Sequence, residues 1–333
     1  MRLNVPDLNF LWVKPFNNNW NNQKTMSIRT YPIQVIFLWI FLSVIPCAAE
    51  FSEKSDTSKK IINVGFDSSI FVGLDVELKD IRSAVDLWAE EVYLNLPTYT
   101  KGKTIFYDSL EKLIQDFNDK KISLMACSAL NYLKIESQVN AELAYVYVRN
   151  GKINTQYLLL VSSNSNFSNI NDLNRKQLVL KEGDEIGSLF LNTLLLSQHH
   201  VEANDFFSSI INKKDYSQCI LSVFFNQVDA CIAPDTVFNT MIMLNPQVGK
   251  RLKILSSSPP FINDISVFQK EDDPKIKKDI ERFILDVKKS AYGQQILILF
   301  KMEEVRQFVQ SDLDNLRELL KRYHDLKKNV SKK

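Results

Sequence analysis

Polar residues in this chain collect where short apolar runs give way to amphipathic ones. A side chain placed there sits at the carboxyl end of a strand or on the first turn of a helix, where a small molecule can be gripped. Asp67-Ser68-Ser69 follows the run Ile61 to Phe66, and Ser128, Asn131 and Tyr132 follow the run Ile122 to Ala126. Hydroxyls and free amides there can meet a ligand's donors and acceptors. Ser and Asp at such points are equally ordinary N-caps, so each residue suits both roles. Tyr132 can wall a cleft with its ring or fill the core. Glu182-Gly183-Asp184-Glu185-Ile186-Gly187-Ser188 opens a further helix, and Lys214-Asp215-Tyr216-Ser217 and Ala233-Pro234-Asp235-Thr236 precede two more. Lys214 could balance an anionic group or stand in solvent. Asp235 could accept from a ligand amine or hydroxyl, or cap its helix.

Other chemistries lack their residues. Three histidines are present, His199, His200 and His324. The first two are adjacent and cannot face one way on a helix, and no Cys or carboxylate accompanies them at ligand spacing, so no metal site is expected. No Gly-x-Ser-x-Gly elbow, phosphate loop or Cys-His pairing signal occurs, and glycine is scarce at eight residues. An enzyme is therefore not expected, nor a cofactor. Basic and acidic side chains nearly cancel, 41 against 39, which argues against a protein built to neutralise phosphate backbones. Nucleic acid is not an expected partner.

The elements that position these residues follow from periodicity. Apolar residues make up 45% of the chain and charged residues 24%, the composition of a globular protein, and 333 residues suffice for two lobes. From residue 61 short apolar strands alternate with amphipathic helices, the signature of an α/β protein with largely parallel sheets. Ile81, Ala84, Val85, Trp88, Ala89 and Val92 recur at spacings of three and four, one stripe against a sheet. Asp108 with Glu111 can cap the next helix. The β-rich segments Glu142 to Arg149 and Gln156 to Ser162 flank the turn signal Asn150-Gly151. A second series runs through strands at Gln177 to Leu180 and Val228 to Ile232, with helices from about Gly187, Tyr216 and Asp235. Strands at Leu252 to Leu255 and Asp264 to Phe268 then precede two long helices, Pro274 to Ser290 and Glu303 to Lys328. The basic end of the last helix complements its own dipole.

The N-terminus carries a separate message. Val35 to Ile45 is an apolar run preceded by Arg29 and followed by Pro46-Cys47-Ala48-Ala49, too short to span a bilayer comfortably. It is expected to be a cleaved secretory signal, with the cut before Glu50 and translation able to start at Met26. Residues 1–49 are thus excluded from the fold. Pro46 argues against lipidation of Cys47. The remaining Cys127, Cys219 and Cys231 stand in apolar contexts, as buried thiols or with a Cys219 to Cys231 disulfide.

Taken in order, several segments resemble the phosphate, phosphite and phosphonate type of ABC-transporter periplasmic substrate-binding proteins. They are Ile62-Asn-Val-Gly-Phe66, Leu110 to Asn131, Ile170 to Val179, Val223-Phe-Phe-Asn-Gln-Val-Asp-Ala-Cys231, and Leu244-Asn-Pro-Gln247 with Leu252 to Pro260. The resemblance implies a two-lobed α/β fold of the type II periplasmic-binding-protein class, its lobes joined by two crossing strands. Lobe 1 would span 58–154, lobe 2 155–250, and the return to lobe 1 with the terminal helices 251–333. It further implies a periplasmic monomer that closes on a small ligand and delivers it to a membrane permease. A module signalling to a membrane sensor by the same clamp is the alternative. Thr155-Gln156-Tyr157 matches a strand that contributes polar contacts in the family, where Gln156 could bridge the lobes. Where phosphonate binders carry a Ser-Thr-Ser type anion cradle this chain has Asp184 and Glu185 ahead of Ser188. Their charges would repel an oxyanion at that helix start.

Overall fold

The computed structural model describes residues 60–71, 77–95 and 99–330; the expected signal sequence, its cleavage site and Cys47 lie outside them. Lobe 1 begins with β1 (Lys60–Asp67), α1 (Leu78–Leu94), β2 (Tyr99–Tyr107), α2 (Leu110–Asn118), β3 (Leu124–Ser128), α3 (Ala129–Ile135) and β4 (Ala141–Val148). Lobe 2 follows with β5 (Tyr157–Ser162), β6 (Gln177–Lys181), α4 (Glu185–His199), α5 (Ala203–Phe206), β7 (Ser209–Lys213) and α6 (Tyr216–Phe224). It continues through β8 (Ala230–Pro234), α7 (Asp235–Leu244), α8 (Gln247–Arg251) and β9 (Leu252–Ser257). The chain returns as β10 (Asp264–Gln269), α9 (Pro274–Leu285), α10 (Ala291–Leu299), β11 (Glu304–Gln307) and α11 (Asp314–Val330).

Among the described residues the strands form two sheets, in the orders β11-β4-β10-β3-β1-β2 and β7-β6-β8-β5-β9. Each is parallel through its βα units; in the first sheet β10 runs antiparallel to β3 and β4, and β11 antiparallel to β4, and in the second β5 runs antiparallel to β8 and β9. The α/β class and the two-lobed architecture expected from the sequence are both present. Central strands such as β6 and β8 are apolar on both faces because helices cover both, which is why they read as unbroken hydrophobic runs.

The chain crosses between the sheets at 149–156 and again at 258–263. The crossings are tied together where Thr155 and Phe261 exchange backbone hydrogen bonds of 2.8 and 2.9 Å. A third connection was not anticipated. After β11, which pairs with β4, the chain passes over to lobe 2 and α11 packs against α4. Leu316 and Leu319 are buried there, and Tyr323 and Lys327 both donate to Glu202. At its start Arg317 pairs with Glu136 of lobe 1, so one helix touches both lobes.

Several local expectations change. Glu303 to Lys328 is not one helix: its first part is the edge strand β11, and α10 precedes it. Ser109, not Asp108, caps α2, accepting from Lys112 N at 3.2 Å. Asn150 and Gly151 do turn, both at positive φ, but β4 and β5 belong to different sheets and form no hairpin. Cys127, Cys219 and Cys231 are buried free thiols, so the alternative disulfide is not formed.

Candidate functional site

The strand ends of both sheets face the crossings, and most of the polar residues singled out above lie there, Lys214 and the core residue Tyr132 excepted. In lobe 1 Asp67 closes β1, Ser128 closes β3, and Asp264 opens β10 directly opposite Ser128. Ser128 caps α3 by accepting from Asn131 N at 3.1 Å. This leaves the buried Asn131 amide to donate to Asp67 Oδ2 at 2.8 Å, while Ser69 N donates to Asp67 Oδ1 at 3.0 Å. Ser69 is exposed, and the Ser68 hydroxyl is buried without a partner. Asp264 pairs with Arg149 at 3.2 Å. Burial is the main force raising the Asp264 pKa, opposed by Arg149 and reinforced by the neighbouring Asp67 charge. Tyr132 is a core residue, 4% exposed, its phenol pushed up to about 12 mainly by burial.

Gln156 ends the first crossing and Tyr157 opens β5. The Gln156 side chain donates to Ser258 O on the second crossing at 3.1 Å, and Tyr157 Oη donates to Asn263 Oδ1 at 3.3 Å. Gln156 thus joins the two crossings through its side chain. Asp235 is buried at the start of α7. Its Oδ1 accepts from Thr236 N at 2.9 Å and from Gln156 N at 3.1 Å, so it ties the helix start to the crossing, while Pro234 and not Asp235 occupies the N-cap position.

Lobe 2 brings the acidic helix start into focus. Asp184 is 6% exposed, and its Oδ1 accepts from Gly187 N at 2.9 Å as the N-cap of α4. Oδ2 is buried with no hydrogen-bond partner of normal geometry, and the Tyr216 phenol lies beside it. Desolvation dominates, lifting the Asp184 carboxyl to about 6 against the pull of Gly187, Tyr216 and Lys181. Gly187 permits this approach, because a Cβ there would strike the Asp184 carboxylate and Ile232. Gly187→Ala should therefore cost about 1–3 kcal/mol of stability in a denaturant titration; an unchanged midpoint would refute the contact. Ser188 is half-buried on the next turn.

Glu185 differs from its neighbour. Its carboxylate meets Lys134 of α3 at 2.6 Å, an ion pair reaching from one lobe to the other. Its charge is therefore compensated, and the expected repulsion rests on Asp184 alone. Both side chains are substantially exposed, at 41% and 56%, so the pair is worth about 0.2–1 kcal/mol. Glu185→Lys should shift spin-label distances across the cleft toward longer values, and adding Lys134→Glu should restore them. Unchanged distributions would show that the pair does not bias closure.

Lys214 is exposed between β7 and α6 and does not join the group. A different lysine does. Lys181, 7% exposed at the end of β6, lies with its Nζ 5.5 Å from the Tyr216 ring centre, and burial lowers its pKa. Lys134, Arg149, Lys181 and Asp264 were not singled out from the sequence. The available signal was positional: Arg149 and Lys181 are charges placed directly after apolar strand runs.

The site thus lies between two sheets that present their strand ends to one another, with carboxylates on both sides. A sequence model of the family described as ABC transporter, phosphonate, periplasmic substrate-binding protein matches residues 91–315. The chain belongs to this family. Its members are periplasmic transport proteins that bind a small ligand and work with an ABC permease. No curated protein matches the chain. Among solved structures, the binding protein component of an ABC phosphonate transporter from Pseudomonas aeruginosa is 15% identical with a TM-score of 0.57, over 82% of this chain and 89% of that one. PhnD1 from Prochlorococcus marinus, in complex with methylphosphonate, is 18% identical with a TM-score of 0.56, over 80% and 98%. XAC2383 from Xanthomonas citri, bound to ATP, is 13% identical with a TM-score of 0.57, over 80% and 98%. At these identities the likeness establishes the fold.

Proposed function

We propose that this chain captures a small polar solute between its lobes for an ABC permease, and that the solute turns a donor-bearing end, such as an ammonium or hydroxyl, toward the carboxylates. The residues assigned to contact are Ser69, Asn131, Gln156, Tyr157, Lys181, Tyr216 and Asp235, with Asp67, Asp184 and Asp264 supplying negative charge. One observation carries this reading: the α4 amide that would cradle an oxyanion, Gly187 N, is already occupied by Asp184. Residues 1–49 are assigned as the export signal, and N-terminal sequencing of the secreted protein should begin at Glu50.

The solute class is tested by calorimetry at pH 7.5 with methylphosphonate, an amino alcohol and a neutral polyol. The amino alcohol should bind most tightly. Asp184→Ser should improve methylphosphonate affinity about tenfold or more, the equivalent of about 1.4 kcal/mol. Lowering the pH through about 6 should improve methylphosphonate binding to the wild-type protein in the same direction, because Asp184 then loses its charge. Methylphosphonate binding that is tightest in the wild type at pH 7.5, with no gain in the variant, would overturn the assignment.

A further inference from the structure

Lobe 1 contains an apolar cavity of about 120 Å³ behind the cleft. It lies between one face of the first sheet and the helices α1, α9 and α10. Strand alternation explains its lining: Ile62, Val64 and Phe66 of β1 point the same way, as do Leu124 and Ala126 of β3 and Tyr145 and Tyr147 of β4. The span from Ile62 to Phe66 is about 13 Å at the usual rise per residue, so the lining runs along the strands. At one end stand Arg149 and Asp264, already paired with each other, and Ser266, hydrogen-bonded to Tyr147. Small side chains, Ala89 on α1 and Ala126 on β3, face it where larger ones would fill it.

One polar atom in this lining is unaccounted for. Tyr145 is 1% exposed, and its hydroxyl is buried with no hydrogen-bond partner. Leaving a hydroxyl unmet in an apolar interior costs about 1–3 kcal/mol, so such a group usually has a partner. An apolar cavity of about 150 Å³ stays dry and accepts benzene, which makes a cavity of this character a receptor for small apolar molecules.

We propose that lobe 1 holds a second ligand site, distinct from the cleft, which takes a single ring or short alkyl group carrying one hydrogen-bond acceptor, with Tyr145 Oη as the donor. The site borders the cleft at the Arg149–Asp264 pair, but its ring or alkyl group would lie among the apolar side chains of lobe 1. Ligand-observed NMR titrations with anisole and ethylbenzene test it, since the two differ by an ether oxygen in place of a methylene. Both should bind saturably, anisole about fivefold more tightly, the usual net worth of one buried hydrogen bond. Tyr145→Phe should equalise them, and Ala89→Leu or Ala126→Leu should weaken both at least about tenfold by occupying the space. Absence of saturable binding to the wild-type protein overturns the proposal, as does binding unchanged in a folded filled variant. Should neither filled variant fold, Tyr145→Phe decides, and an anisole preference that survives it overturns the assignment.

Discussion

Replacing Asp184 by Asn should raise the melting temperature at pH 7.5 and flatten its dependence on pH between about 4 and 6. The carboxyl is held at about 6 in the folded chain, against 3.8 as its ordinary value, chiefly because it is buried. A carboxyl whose folded pKa is raised binds its proton more tightly when folded, so protonation favours the folded state. The stability linked to it is fully present below the unfolded pKa and is lost as the pH rises through the folded one. At neutral pH the buried charge thus costs on the order of 2–3 kcal/mol. Asn retains an oxygen for Gly187 N and removes the charge, so the cap survives while the cost disappears. For a domain of this size the gain corresponds to roughly 4–10 °C. A variant that melts lower than the wild type at pH 7.5 would show that the ionised carboxylate stabilises the helix start.

Retaining a costly charge at the mouth of a binding cleft points to selection by that charge. Neutral Asn or Ser would cap α4 as well, so helix stability does not explain Asp184. Removing it should make the clamp more stable and less discriminating at once.

Much of this site was legible as position and little of it as partnership. The strand and helix periods fixed which residues stand at strand ends, so Ser128, Asn131, Gln156, Tyr157, Asp184, Tyr216 and Asp235 do gather at the facing sheet edges. Sequence spacing carries no information about what lies across the cleft. Lys134 is 51 residues from Glu185, yet their 2.6 Å contact decides that Glu185 is compensated. That leaves Asp184 as the acid whose charge would oppose an oxyanion at this helix start. Lys181 was overlooked because a lysine ending an apolar strand reads as a solvated boundary, whereas Tyr216 and the strand end cover it. The C-terminal region failed for another reason. Glu304–Gln307 is an edge strand defined by backbone pairing with β4, and its side chains show no alternation that would reveal it. The third link between the lobes follows from that strand, because it launches the chain toward α4.

The largest loss of stability should come from Arg149. Among the described residues Arg149 supplies the ion pair to the Asp264 carboxylate, and the two side chains are 31% and 16% exposed. Removing one member of a largely buried pair leaves an uncompensated charge and costs about 3–5 kcal/mol, and the partial exposure here places Arg149→Met near the lower figure, roughly 6–10 °C. Nearby Asp67 adds to the strain, since its negative charge already disfavours ionised Asp264. The sign of the pH effect follows from the raised Asp264 pKa. Without Arg149 that pKa moves higher still, so the deficit of Arg149→Met should be largest at pH 7.5 and shrink as the pH falls and Asp264 takes up a proton. The double variant Arg149→Met with Asp264→Asn should recover most of the loss at pH 7.5, because neither buried charge remains. A double variant no more stable than Arg149→Met would mean that the guanidinium acts by packing against the strand ends, and the ion pair would then not be what holds this edge of the cleft.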